Sequence, residues 1–203
     1  MTLSTNNQTR RAFGAGFVAA VAASFVPTSV LALNEASAKV LVDSLVGKIN
    51  AVISSGKSEA AMLREFEKIF VRYADVPTIA RYALGADARS LSGSEMRSFT
   101  KAFQGYISRK YGRRFREFIG GKIEVKGSRK VKSFYEVKTT AFLRGSSPFD
   151  VTFLVSDRSG KDLFFNMFIE GINLLLTERT EIGAMLDRRK GNVSALIKDL
   201  QNT

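Results

Sequence analysis

From Ser37 to Ser55 the apolar side chains recur every three or four positions, at Leu41, Leu45, Ile49 and Val52 with Val42, Val46 and Ile53 beside them, and Gly56 closes the run. This 3.6-residue period predicts an amphipathic helix, and Ser58 to Tyr73 repeats it through Met62, Phe66, Ile69, Phe70 and Tyr73. Asp75 before Val76-Pro77 has the form of an N-cap, opening a short helix that ends near Gly85. Ser92 and Glu95 have capping-box spacing, so a third long helix starts there. Its stripe is Met96, Phe99, Phe103, Ile107, Tyr111, Phe115 and Phe118, and Gly120-Gly121 stops it. Arg97, Lys101, Arg109, Lys110, Arg113, Arg114 and Arg116 fall mostly off the stripe, which turns the basic residues outward. Gly105 and Gly112 inside this helix each cost about 1 kcal/mol relative to alanine, which either a close approach or a bend would explain.

After Gly121 the period drops to two. Ile123 and Val125 alternate with charges; Tyr135, Val137, Thr139, Ala141 and Leu143 alternate with Phe134, Glu136, Lys138, Thr140 and Phe142; and Phe149, Val151, Phe153 and Val155 form a third set. Turn residues at 144–148 and 157–162 separate these strands at the intervals of an antiparallel meander. Leu163 to Glu170 is apolar on both faces, so each side needs a cover, and Gly171 divides it from a further strand, Ile172 to Thr177. A helix from Glu178 to Arg189 and a last one capped by Asn192 complete the chain. Helices, meander, helices is an α+β order, with an antiparallel β-meander packed by several helices.

The first 32 residues read as an export signal. Arg10 and Arg11 precede a stretch of small and apolar residues with no charge until Glu35, and Pro27 lies before the small residues of a cleavage site. The apolar stretch is too short and too rich in Gly and Ala for a membrane span. Cleavage is placed after Ala32, with Ala36-Ser37-Ala38 as a second candidate, leaving 33–203 as a single domain. Thr9-Arg10-Arg11-Ala12-Phe13 has the form of a twin-arginine signal; a chance arginine pair in an ordinary secretory signal is the alternative.

Composition narrows the chemistry. The chain has no histidine and no cysteine, which excludes a Ser-His-Asp triad, a cysteine nucleophile and any His- or Cys-ligated zinc or haem. There is no nucleophile elbow, Walker loop or dinucleotide fingerprint, so no catalytic residue is assigned and no enzyme is expected. Asp150, Asp157 and Asp162 flank turns and read as solvated strand ends, not metal ligands; Glu170 reads either as a strand-end charge or as a structural hydrogen-bonding group. The net charge of +12, or +10 once residues 1–32 are removed, favours polyanions, anionic lipid surfaces or acidic partners. Export makes nucleic acid an unexpected partner, and nucleic-acid binding would require the N-terminus to be uncleaved and the protein cytoplasmic. The sixteen phenylalanines and five tyrosines, without tryptophan, are mostly core at this spacing, and the remainder are free to line an apolar cavity.

Four stretches carry a resemblance: FVRYADVPTIARYALG at 70–85, FQGYISRKYG at 103–112, FFNMFIEGINLLLTERTEIGAMLDRRKG at 164–191 and VSALIKDL at 193–200. In order and spacing they resemble the MlaC family of phospholipid-transport auxiliary proteins, also called toluene-tolerance proteins, over nearly all of the chain beyond the signal. The sequence departs from that family's usual pattern by lacking tryptophans near Asp87-Ala88 and Asp162, and by having Asn166 where Asp is frequent.

The resemblance implies a periplasmic carrier that encloses the acyl chains of a phospholipid, or of another envelope lipid such as a hopanoid, in an apolar cavity and shuttles it between the inner and outer membranes. The implied partners are an inner-membrane ABC transporter with its substrate-binding ring protein and an outer-membrane lipoprotein complex. No cofactor is expected beyond the bound lipid. Candidate lipid-binding residues on the long helix are Phe99, Phe103, Tyr106, Ile107, Tyr111 and Phe115; on the strands and after they are Phe142, Phe153, Phe165, Phe168, Ile172 and Leu174. Arg109, Lys110 and Arg113 are candidates for head-group contact or docking. The alternative reading is a non-catalytic envelope interaction module whose aromatics are only core and whose basic face docks an acidic partner.

Overall fold

The structure is a computed structural model that describes residues 1–2 and 32–203, the side chains of residues 114–116 excepted. The chain folds as α1 (Glu35–Ile53), α2 (Glu59–Tyr73), α3 (Val76–Leu84), α4 (Gly93–Arg114), β1 (Lys122–Val131), β2 (Phe134–Phe142), β3 (Phe149–Ser156), β4 (Leu163–Ile169), β5 (Ile172–Asn173), α5 (Leu174–Arg188) and α6 (Val193–Asn202). Short 3-10 turns at Gly85–Arg89 and Phe115–Phe118 follow α3 and α4. The strands form one antiparallel meander in chain order, so the α+β class read from the sequence is the class observed.

Local chemistry sets the element ends. Helix α1 starts earlier than its apolar period, because Asn34 and Ser37 make a reciprocal capping box, each side chain accepting from the other's backbone N–H at 2.9 Å. Asp75 caps α3 by accepting from the Thr78 amide at 3.2 Å. The Ser92–Glu95 box opens α4, with Glu95 Oε2 accepting from the Ser92 amide at 2.8 Å. The long helix is shorter than its apolar stripe: it tightens into a 3-10 turn at Phe115, and Phe118 meets the ring of Phe149 edge-on at 6.1 Å. A Cβ on Gly121 would sit 2.2 Å from the Phe142 carbonyl oxygen, so only glycine lets the chain turn into β1 there.

The largest correction lies after Gly171. The expected strand Ile172–Thr177 is two residues long, and α5 begins at Leu174 instead of Glu178. Asn173 explains the difference, since its side chain accepts from the Leu176 amide at 3.1 Å and caps a run of leucines, which are good helix formers. Asn166 joins the same corner: its amide donates to Asn173 Oδ1 at 3.0 Å and its oxygen accepts from the amides of Met167 and Leu175. An aspartate at 166 could not donate to Asn173. Glu170 and Gly171, at φ 49° and 81°, form the two-residue turn between β4 and β5, and the Glu170 amide donates to the Asp150 carbonyl at 2.9 Å.

The helices gather on one face of the sheet. Tyr135, Val137, Thr139 and Ala141 of β2 turn to that face and are buried, as are Val151, Phe153 and Val155 of β3. Helix α1 lies along β1, where Asn50 donates to the Ile123 carbonyl and accepts from its amide, both at 3.0 Å. At the other margin Ala74 bridges Phe164, and the Asp75 amide donates to the Phe164 carbonyl at 2.8 Å. Helix α4 packs against α2, α6 and α3, while α5 packs against α3 and β4. Gly112 resolves one of the two readings of its helix: its Cα faces α2 so closely that a Cβ would lie 2.4 Å from Leu63 Cδ2.

Candidate functional site

The interior between sheet and helices is apolar and packed. Phe99 and Phe103 on α4 are both fully buried, their rings stacked at 5.9 Å, and Phe153 on β3 meets Phe164 edge-on at 5.6 Å. Tyr106 and Ile107 extend this wall along α4 and are buried. Five of the sequence-derived candidates, Phe99, Phe103, Tyr106, Ile107 and Phe153, therefore belong to one core cluster.

The other candidates lie elsewhere. Phe142, Phe165 and Phe168 alternate with the buried positions and occupy the opposite sheet face, where Phe165 meets Phe134 edge-on at 5.7 Å and Lys122 and Lys126 stand over the Phe142 ring. Phe165 is the extra residue of the bulge opposite Leu154/Val155, which sends it to that side. Ile172 is 61% exposed at the hairpin, and Leu174 is half-buried in the first turn of α5. The side chain of Phe115 is outside the described residues. Tyr111 is half-buried, with its hydroxyl directed at α5.

Between α4 and α5 lies a polar network that the apolar periodicity does not announce. The Tyr111 hydroxyl donates to Glu178 at 2.5 Å and the Tyr106 hydroxyl donates to Glu181 at 2.5 Å. Lys110 bridges the two carboxylates, at 2.7 Å from Glu178 and in direct contact with Glu181. Glu178 is almost wholly buried, and its second carboxylate oxygen has no partner. Burial works against the charge of Glu181, yet the hydrogen bonds from Lys110 and Tyr106, with Arg188 nearby, hold its carboxyl below the ordinary value. Burial first, then the carboxylate partners, push the hydroxyls of Tyr106 and Tyr111 well above their ordinary value. Glu178 and Glu181 were missed in the sequence; the available signal was a glutamate four and seven positions before Ile182 and Met185, on the buried stripe of α5.

The three basic candidates are tied to the fold and do not form a free outward row. Lys110 belongs to the network, Arg109 donates to the Leu200 carbonyl at 2.5 Å and Arg113 reaches the Thr203 carbonyl at 3.4 Å. A cleft of about 210 Å³ lined by Tyr106, Lys110, Arg113, Glu181 and Thr203 opens beside the network. A second, of about 170 Å³, is lined by Lys48, Lys68, Ile69, Arg72 and Tyr73. Both are small beside the roughly 300–1,000 Å³ of ordinary ligand pockets, so neither holds a whole lipid. Among the described residues no three carboxylates converge as a metal site would need, and no helix is long and apolar enough to cross a membrane.

The sequence profile of the MlaC protein family matches residues 41–202. No curated protein sequence matches the chain. Among solved structures, the fold is similar to that of a phospholipid-binding protein from Ralstonia solanacearum in complex with a phospholipid, with a TM-score of 0.68 at 17% identity, covering 81% of this chain and 95% of that one.

Proposed function

Because the chain belongs to the MlaC family, we propose that it is a non-catalytic lipid carrier that takes the acyl chains of a phospholipid between its sheet and its helix layer. The observation that carries this reading is the fold shared with a protein solved around a phospholipid, joined to an interior whose walls are aromatic and aliphatic. The physical requirement is simple: each methylene hidden from water contributes about 0.8 kcal/mol, so one long acyl chain stores on the order of 10 kcal/mol and cannot travel exposed. Phe99, Phe103, Ile107 and Phe153 are the wall residues for that chain.

The carrier works in the periplasm, passing lipid between an inner-membrane ABC transporter with its ring protein and an outer-membrane lipoprotein complex. The export pattern at Arg10-Arg11 supports that location. Cleavage after Ala32 suits the folded unit, because Leu33 is buried, its carbonyl accepts from the Tyr135 hydroxyl at 3.0 Å, and Asn34 caps α1. A cut after Ala38 would remove all of these. The docking-module alternative gains nothing from Arg109, Lys110 and Arg113, whose side chains bond within the fold.

Mass spectrometry of an organic extract of the mature protein, purified from a bacterial periplasm, tests the proposal. A co-purifying phospholipid is expected at near one-to-one ratio. A protein that carries no lipid and takes none from liposomes would refute it.

A further inference from the structure

The seam between α4 and α5 differs in kind from the other helix contacts. The closest backbone neighbours of α4 are α2, α6 and α3, and those of α5 are α3, β4, β5 and α6. Between α4 and α5 the recorded bonds run through long side chains: Tyr106, Lys110 and Tyr111 on one side, Glu178 and Glu181 on the other. Apolar side chains stand beside them, with Ile107 on α4 and the fully buried Ile182 on α5. The cleft lined by Tyr106, Lys110, Arg113 and Glu181 notches the surface at this place.

Building on the lipid-carrier reading, we propose that the α4–α5 seam is the portal through which lipid enters and leaves, and that Lys110, Glu178, Glu181, Tyr106 and Tyr111 are the latch that closes it. Parting an apolar seam exposes hydrocarbon to water and is opposed over its whole area, whereas parting an ion-paired seam returns charges to the hydration they lost on burial. Glu178 strengthens the case, since its unpartnered oxygen is a polar group the closed state leaves unsatisfied and the open state hydrates. The seam between α4 and α6 offers no such compensation, because Leu196 and Leu200 are fully buried there and Arg109 bonds a neutral carbonyl. An arriving phosphate head group meets the ammonium of Lys110 and two phenol donors, which can exchange carboxylate for phosphate as the helices part.

The chain has no cysteine, so a Lys110→Cys/Glu181→Cys double variant places two thiols across the seam without background. Joining them with a short cross-linker that reduction releases locks the portal. Uptake of a self-quenched fluorescent phospholipid from vesicles is expected to fall at least about tenfold in the cross-linked protein and to return on reduction. Equal uptake before and after cross-linking overturns the portal, provided that wild type takes up lipid; wild type failing to do so defeats the carrier reading itself. Glu181→Gln, on a partly exposed residue, is a milder second variant expected to speed transfer about two- to tenfold. Leu200→Ala, chosen for loss of stability away from the seam, is the control: equal acceleration by both variants would show general loosening and overturn the latch.

Discussion

Lys110 Nζ lies 2.7 Å from the carboxylate of Glu178, whose side chain keeps 4% of its surface exposed while that of Lys110 keeps 24%. The pair is asymmetric, with the anion inside and the cation reaching in from the edge. Removing the cation therefore strands the anion. Lys110→Met is expected to lower stability by about 1–3 kcal/mol in urea denaturation. Glu178→Gln is expected to cost less, because its amide oxygen still accepts from Tyr111. A Lys110→Met protein as stable as wild type would contradict this account.

Stability is expected to fall at both ends of the pH scale. Glu181 is held below its ordinary 4.5, so its contribution is complete above that value and is lost as pH falls toward the folded value. Tyr106 and Tyr111 are pushed above their ordinary 10, so their contribution is complete below that value and is lost as pH rises beyond it. Urea midpoints measured from about pH 3 to about pH 11 should show both limbs. Glu181→Gln should flatten the acid limb and Tyr106→Phe the alkaline one; limbs unchanged in these variants would assign the effect elsewhere.

Two glycines should respond to alanine with opposite signs. Gly47 is exposed within α1 and a Cβ there meets nothing within 4 Å, so Gly47→Ala is expected to stabilise by about 0.5–1 kcal/mol. Gly85 has φ +72°, and a Cβ would lie 3.2 Å from the Arg179 guanidinium, which is itself 5.1 Å above the Tyr82 ring. Gly85→Ala is expected to destabilise by about 1–3 kcal/mol. Thermal melts of the two variants suffice to compare them.

The two sheet faces should separate in a loading assay. Phe153→Ala removes a ring that is 3% exposed in the core and is expected to cost about 3–5 kcal/mol and to reduce lipid loading. Phe165→Ala, on the opposite face, is expected to cost less and to leave loading unchanged. Lipid recovered by mass spectrometry, normalised to folded protein, is the measurement. Loading lost with Phe165 and kept with Phe153 would move the lipid to the other face.

The element order and most strand and helix ends were legible because apolar periodicity and caps act over a few residues. Asp75, Ser92 and Glu95 mark their helices from composition alone. The start of α5 was not legible, since Leu174-Leu175-Leu176 suits a buried strand as well as a helix, and the deciding bonds come from Asn173 and Asn166, seven residues apart. The buried stripe of α4 was legible from its helical period. The sheet face of Phe142, Phe165 and Phe168 was not legible, because a strand period gives two faces without saying which is covered, and the bulge in β4 redirects Phe165. The partners of Lys110 lie 68 and 71 positions along the chain, beyond any local pattern.

Asn50 occupies both backbone groups of Ile123, and the link between α2 and α3 does the same work at Phe164 on the far margin. At these two points the sheet has no free ladder to offer another chain, so strand addition and the aggregation it seeds are blocked at the start of β1 and along the outer side of β4 at Phe164. If the layers part as proposed, the sheet would still offer no free backbone at Ile123 and Phe164 for a second copy to pair with while the interior is open.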